Sequence, residues 1–134
     1  MKRILIVDDQ CTIRWMIRLA LREDFAVDEA DNPQAAWGMI KKRRPDGIVL
    51  DVMMPGGTDG FQFCKRIKTD PGLASINVVL VTACGEESDR ERGRLAGANG
   101  YFVKPLSPLA LARHFRSALK NDDDATPLKL TGTH

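Results

Sequence analysis

Three short apolar runs predict the centre of a parallel sheet. They lie at residues 4–7, 47–50 and 78–81, they are rich in β-branched side chains, and polar residues do not alternate with apolar ones within them. Strands covered on both faces show this pattern, whereas in strands with one solvated face apolar and polar residues alternate. We therefore expect three strands that are buried on both sides.

Two weaker runs complete a regular alternation of strands and helices. Residues 25–29 and 99–103 each contain a short apolar stretch that follows one predicted helix and precedes another. Five strands that alternate with helices are typical of an α/β fold. The sequence therefore predicts an α/β domain.

The predicted helices differ in how clearly they are marked. Asn32-Pro33 and Ser107-Pro108 each place a capping side chain before a proline at the first helical position. In the first helix the apolar positions share one face, which directs Trp15 outward. The segment 86–96 has few apolar residues, so we expect the fourth helix to be weakly packed.

Length and composition limit the classes of partner that this chain could have. The 134 residues suit one domain, predicted at 1–120, followed by a flexible tail at 121–134. A net charge of +2 does not predict binding to nucleic acid or to a membrane, and the first apolar run is too short for a signal peptide. Three widely spaced cysteines indicate neither a disulfide framework nor a zinc site, so we expect a cytoplasmic protein.

Polar side chains follow four of the five predicted strands. They are Asp8 and Asp9 after the first strand, Asp51 after the third, Thr82 at the end of the fourth and Lys104 after the fifth. In an open parallel sheet the ligand site lies beyond the carboxyl ends of the strands. A single aspartate at a strand end is more often a cap or a turn residue, but that explanation does not account for three aspartates, a threonine and a lysine at one edge.

Three neighbouring carboxylates need cations to remain ionised, since a pair at 4 Å repels by roughly 4 kcal/mol at an effective dielectric of about 20. Mg²⁺ favours carboxylate oxygens and leaves positions for phosphate oxygens, and Lys104 can supply another positive charge. A carboxylate can also attack a phosphoryl group, with catalysis by positioning and charge neutralisation. Asp51 is the best-placed nucleophile.

Four segments resemble the receiver domains of two-component response regulators. They are Ile4-Leu-Ile-Val-Asp8-Asp9, Ile48-Val-Leu-Asp51-Val-Met-Met-Pro55, Val81-Thr82-Ala83 and Ala96-Gly97-Ala98-Asn99-Gly100-Tyr101-Phe-Val-Lys104-Pro105. The resemblance covers residues 2 to about 120. It implies a doubly wound, flavodoxin-like sheet of five parallel strands in the order 2-1-3-4-5 and a cis bond between Lys104 and Pro105.

The same resemblance implies roles for the site residues. Asp51 would accept a phosphoryl group from a histidine kinase or a histidine phosphotransfer protein, and Thr82 and Lys104 would bind the phosphoryl oxygens. Mg²⁺, for which Mn²⁺ can substitute, would be held by Asp8, Asp9, Asp51 and the main-chain carbonyl of Met53. Thr82 and Tyr101 would switch the face formed by the fourth helix, the fifth strand and the fifth helix, where an unidentified target protein binds. Enzymatic activity would be limited to self-phosphorylation and self-dephosphorylation.

Four further features have no firm link to this chemistry. The loop Gly56-Gly57-Thr58 looks one residue longer than in the family, and the basic run at 41–44 lies at the end of the second helix, where cations complement the helix dipole. His114 is expected to be structural or exposed. Trp15 and Leu19 either pack against the fifth helix or form a docking surface for the phosphodonor.

Three rival functions fit parts of the pattern. A pseudo-receiver, which binds a protein without being phosphorylated, is the main alternative, although the intact set of five site residues argues against it. A phosphohydrolase would need an aspartate two residues after Asp51, where Met53 stands. A flavin-binding protein would need a serine- or threonine-rich phosphate loop after the first strand, where Asp8 and Asp9 stand.

Overall fold

A computed structural model of the chain describes residues 1–54, 59–83 and 85–119. Five strands and five helices alternate along these residues, as the sequence predicts. In chain order they are β1 (Arg3–Val7), α1 (Cys11–Leu21), β2 (Ala26–Ala30), α2 (Pro33–Lys42), β3 (Gly47–Asp51), α3 (Gly60–Thr69), β4 (Asn77–Thr82), α4 (Glu87–Leu95), β5 (Gly100–Val103) and α5 (Pro108–Ala118). The predicted tail and the loop at 56–58 lie outside the described residues.

The strands form one parallel sheet in the order β2-β1-β3-β4-β5, which confirms the expected doubly wound topology. The order reverses at β1, which pairs with β2 on one side and with β3 on the other. At such a reversal the connections leave toward opposite faces and open a crevice beyond the carboxyl ends of the strands. The crevice between β1 and β3 is therefore the expected place for a ligand.

Helices cover both faces of the sheet, as fully apolar strands require. α1 and α5 pack on one face, where the strands contribute Ile4 and Ile6, and α2 and α3 pack on the other face, where they contribute Leu5 and Val7. All four side chains are almost completely buried. This double cover fixes the ends of the central strands in position.

The second strand begins one residue later than predicted. Phe25 donates its backbone N–H to the carbonyl oxygen of Leu21 at 2.9 Å, so it belongs to the turn that ends α1. Its side chain is buried against the α1–α5 layer, with its ring edge-on to Phe115. The apolar side chain suggested a strand residue, but its backbone hydrogen bond places it in the turn.

The helix ends follow the sequence signals. The side chain of Asn32 accepts the N–H of Ala35 at 2.8 Å, and that of Ser107 accepts the N–H of Ala110 at 3.1 Å. Every residue of α4 is described, and Gly93 is the one that is buried, which confirms the expectation of weak packing. Among the helices that the structure describes, none is long and apolar enough to cross a bilayer.

β3 and α3 approach each other closely at Gly60. Its N–H donates to the carbonyl oxygen of Val52 at 3.1 Å, and a Cβ at position 60 would lie 2.6 Å from the Cα of Val52. Real Cβ atoms do not come this near to backbone. Glycine therefore allows α3 to begin directly beside the end of β3.

Candidate acidic site at the sheet edge

The three aspartates singled out in the sequence converge at the carboxyl edge of the sheet. Asp8, Asp9 and Asp51 each offer a carboxylate oxygen, and the three oxygens lie within 4.8 Å of one another. Asp8 is 3% exposed and Asp51 is 5% exposed, whereas Asp9 is exposed to solvent. Because hard divalent cations such as Mg²⁺ favour carboxylate oxygens and a partly open coordination shell, this donor set fits the expected metal.

The loop that carries Asp8 and Asp9 is held by several hydrogen bonds. One carboxylate oxygen of Asp8 accepts the backbone N–H of Gln10 at 2.8 Å, and the backbone N–H of Asp8 donates to Ala30 at 3.1 Å. The guanidinium of Arg14 donates to the main-chain carbonyl oxygen of Asp8 at 2.7 Å. These contacts hold the Asp8 carboxylate and the peptide unit between Asp8 and Asp9.

Asp51 is the last residue of β3, and its side chain is oriented by the backbone that follows. Its Oδ1 accepts the N–H of Met53 at 3.2 Å, while the N–H of Val52 continues the sheet by donating to Val81. Met53 forms an isolated antiparallel bridge with Asp59, so its backbone is held although its side chain is exposed. The Met53 carbonyl is thus carried by an anchored peptide next to the acidic cluster.

Lys104 supplies a positive charge to the same cluster. Its ammonium nitrogen lies 3.6 Å from Oδ2 of Asp8 and 3.5 Å from Oδ2 of Asp51. The backbone N–H of Lys104 donates to the carbonyl oxygen of Thr82 at 2.7 Å, and the Lys104–Pro105 bond is cis, as expected. The structure therefore brings all five predicted residues to one edge, with Thr82 2% exposed.

The electrostatic balance of the cluster is unfavourable without a further cation. Burial raises the pKa of the Asp51 carboxyl, the neighbouring charge of Asp8 raises it further, and Lys104 offsets only part of this. Burial likewise raises the pKa of Asp8, against the hydrogen bond from Gln10 and the charge of Lys104. A metal ion among these carboxylates would stabilise their ionised forms.

Tyr101 lies in β5, and its ring is close to α4. The guanidinium of Arg90 lies 5.3 Å from the centre of its ring, and a Cβ at Gly93 would be 3.1 Å from its Cδ1. The absence of a side chain at position 93 thus leaves room for the tyrosine ring. Sequence reasoning identified Tyr101 but not these two neighbours, since neither carries a recognisable pattern.

The remaining sequence predictions are placed as follows. Trp15 is 59% exposed and Leu19 37% exposed on α1, so more than half of the Trp15 surface is open to solvent. His114 accepts or donates a 2.9 Å hydrogen bond at the side chain of Asn77 and packs edge-on to two phenylalanines, which confirms a structural role. α2 ends at Lys42, and Arg44 hydrogen-bonds to Gly72.

Comparison with known proteins agrees with this geometry. A family model described as the response regulator receiver domain matches residues 4–116. The phosphate regulon transcriptional regulatory protein PhoB of Pseudomonas aeruginosa is 38% identical, and the match covers 98% of this chain and 58% of PhoB. The transcriptional regulatory protein ResD of Bacillus subtilis is 39% identical, and the match covers 88% of this chain and 48% of ResD. The chain thus spans about half the length of these relatives.

Solved structures show the same fold. A putative response regulator from Chloroflexus aurantiacus has a TM-score of 0.81 and 35% identity, and covers 90% of this chain and 98% of its own. The chemotaxis response regulator CheY4 of Vibrio cholerae has a TM-score of 0.80 and 29% identity, and the match covers 89% of this chain and 99% of CheY4. A BeF3-activated DrrB receiver domain has a TM-score of 0.82 and 26% identity, with 90% and 99% covered.

Proposed function

Since this chain belongs to the response regulator receiver family, we propose that Asp51 accepts a phosphoryl group in a Mg²⁺-dependent transfer and that the modified protein signals through its α4–β5–α5 face. The observation that supports this most strongly is the meeting of three carboxylates within 4.8 Å, two of them within 3.6 Å of the Lys104 ammonium. Receiver domains of response regulators act as phosphoryl acceptors in two-component signalling. The solved relative with bound BeF3 supports this too, because that group resembles a tetrahedral phosphoryl group.

The transfer itself requires little covalent chemistry from the protein. A carboxylate oxygen of Asp51 attacks phosphorus, the P–N bond to the donor histidine breaks, and the ring nitrogen keeps the electron pair. Asp51 is well suited to this role because the N–H of Met53 orients its carboxylate. The product is an acyl phosphate at the end of β3.

Mg²⁺ would be held by the carboxylates of Asp8, Asp9 and Asp51 and by the main-chain carbonyl of Met53, and Mn²⁺, which shares the preference for oxygen, can take its place. When bound, the ion supplies charge neutralisation to the phosphoryl oxygens. The Lys104 ammonium would bind one phosphoryl oxygen, and the hydroxyl of Thr82 would donate a hydrogen bond to a different one. The backbone N–H of Lys104 donates to the carbonyl oxygen of Thr82, and this proximity of the two residues supports their proposed roles.

The output would be a change in the face that includes α4. Movement of the Thr82 hydroxyl toward the phosphoryl group would be accompanied by a turn of Tyr101, whose ring lies against Gly93 of α4. α4 is a suitable switching element because it buries so little, and mobile elements come from the less stable parts of a structure. The downstream target is a protein of unidentified type.

The phosphodonor would be a histidine kinase or a histidine phosphotransfer protein that docks on Trp15 and Leu19. Exposed tryptophans are frequent anchors of protein interfaces.

We expect Trp15→Ala to slow transfer from a phosphohistidine donor about tenfold, with no change in transfer from acetyl phosphate. Leu95→Ala, at another exposed apolar position, on α4, is the control, and equal rates for Trp15→Ala and the wild type would contradict the docking proposal.

The proposed function is tested by incubation with Mg²⁺ and acetyl phosphate, followed by measurement of the intact mass. We expect the wild type to gain one phosphoryl group, Asp51→Asn to gain none, and the exposed control Asp31→Asn to behave like the wild type. Chelation of the metal should abolish the gain. No gain in the wild type, together with no Mg²⁺ binding, would instead favour the pseudo-receiver.

The longer relatives leave one expectation open. PhoB and ResD are transcriptional regulatory proteins about twice the length of this chain. The expectation that no nucleic acid is bound therefore applies to these 134 residues and stays a prediction. The net charge of +2 supports it weakly.

A further inference from the structure

Arg14 connects the acidic loop to the edge of the sheet. Its Nη1 donates to the main-chain carbonyl oxygen of Asp8 at 2.7 Å, and its Nε donates to Oε1 of Glu29 at 2.9 Å. Glu29 lies in β2, next to Ala30, whose carbonyl oxygen accepts the N–H of Asp8. One guanidinium therefore contacts both the peptide unit between Asp8 and Asp9 and the strand beside it.

Glu29 holds Arg14 in this position. Burial raises the pKa of the Glu29 carboxyl, but hydrogen bonds from Arg18 and Arg14 outweigh this and hold the pKa below its usual range. The side chain of Arg14 is 17% exposed, so it is largely packed. A rigid guanidinium with donors in a fixed plane can bridge two acceptors in a way that a lysine ammonium cannot.

These contacts assign Arg14 a task that rests on the proposed function and refines it. The geometry points to Arg14 as a positioning residue for Mg²⁺, which fixes the Asp8–Asp9 peptide so that both carboxylates face the same ion. Partners that orient metal ligands without touching the metal typically change metal affinity by about 10- to 100-fold. Sequence reasoning missed Arg14, because an arginine in an amphipathic helix carries no local signal.

The sign of the effect separates positioning from charge. Removing a positive charge beside a cation site should by itself strengthen Mg²⁺ binding, since one source of repulsion disappears. Loss of positioning should weaken binding. A weaker affinity after neutralisation of Arg14 is therefore explained by positioning and not by Coulomb repulsion.

Arg18 offers a matched control within the same helix. It lies one turn further along α1 and pairs with the same carboxylate, at 2.5 Å from Oε2 of Glu29. Its other described contact is with the carbonyl oxygen of Val27 and not with the acidic loop. Arg18→Gln therefore removes the same charge and a similar ion pair without releasing the Asp8–Asp9 peptide.

The experiment compares Arg14→Gln, Arg18→Gln and Arg14→Lys. The dissociation constant for Mg²⁺ is obtained from the increase in the free energy of unfolding in urea as MgCl₂ is added, since a ligand that binds only the folded state stabilises it by an amount set by the ratio of ligand concentration to dissociation constant. We expect about tenfold weaker binding for Arg14→Gln and unchanged or slightly stronger binding for Arg18→Gln. Arg14→Lys, which keeps the charge but cannot span both acceptors, should also bind weakly.

The inference is overturned if Arg14→Gln binds Mg²⁺ as tightly as the wild type, or if lysine restores wild-type affinity. Unfolding curves in metal-free buffer show whether each variant is folded. If Arg14→Gln is not folded, Arg14→Lys is compared with the wild type in its place. A wild type that Mg²⁺ does not stabilise at all would defeat the proposed function itself, which is a separate outcome.

Discussion

Lys104→Met is expected to accept phosphoryl groups from acetyl phosphate at least about 100-fold more slowly than the wild type, with an affinity for Mg²⁺ that is unchanged or higher. Removing one preorganised group that stabilises developing charge commonly costs a factor of about 10² to 10³. Methionine keeps most of the length of the side chain, so packing around position 104 changes little. The initial rate of mass gain and the Mg²⁺ dissociation constant are the two measurements.

The two expected changes in Lys104→Met go in opposite directions for one reason. The ammonium lies 3.6 Å from Asp8 and 3.5 Å from Asp51, so it competes with the metal for the same carboxylates. Its removal makes the site more negative, which favours Mg²⁺ but repels the incoming phosphoryl group. Lys41→Met, at an exposed position, should change neither quantity, and a parallel fall in Mg²⁺ affinity and rate would show that Lys104 acts by maintaining the fold.

Gly60→Ala is expected to lower the free energy of unfolding by about 3 kcal/mol, at the upper end of what overpacking usually costs. The added Cβ would lie 2.6 Å from the Cα of Val52 and 3.0 Å from the carbonyl oxygen of Asp51, both of which are backbone atoms. Neither atom can move without displacing the end of β3 or the start of α3. Urea denaturation in metal-free buffer measures the change.

Gly38→Ala is the matched control for this substitution. Gly38 lies in α2, and a Cβ at this position would have nothing within 4 Å, so alanine should stabilise the protein by about 0.5–1 kcal/mol through helix propensity. The two variants add the same methyl group to a helix and should change stability in opposite directions. Similar changes in both would mean that the contact at Val52 does not control the packing of α3.

The arrangement of strands could be predicted because burial on both faces leaves a strong signal. The run at residues 4–7 is apolar throughout and short, and few structures other than a covered parallel strand accommodate it. Once five strands are parallel, the residues after them must lie at one edge. That is why Asp8, Asp51 and Lys104 could be placed together by reasoning from the sequence.

The supporting contacts could not be predicted from the chain alone. Arg14 and Arg92 both lie in helices, and nothing in the local sequence pattern shows that Arg14 reaches the Asp8 carbonyl oxygen or that Arg92 pairs with Asp59 at 2.8 Å. These contacts depend on how α1 and α4 pack against distant loops. The contacts of a long, flexible side chain depend on which groups the folded structure brings within its reach.

The thin packing of α4 has a consequence for how solution conditions affect the molecule. Its one buried position, Gly93, carries no side chain, while Arg92 holds the helix through the Asp59 carboxylate and the ring of Phe61. Charged contacts of this exposed kind weaken as salt screens them, with a Debye length of about 8 Å at physiological ionic strength. The position of α4 should therefore depend on ionic strength. The packing of the apolar layers on the sheet should depend on it very little.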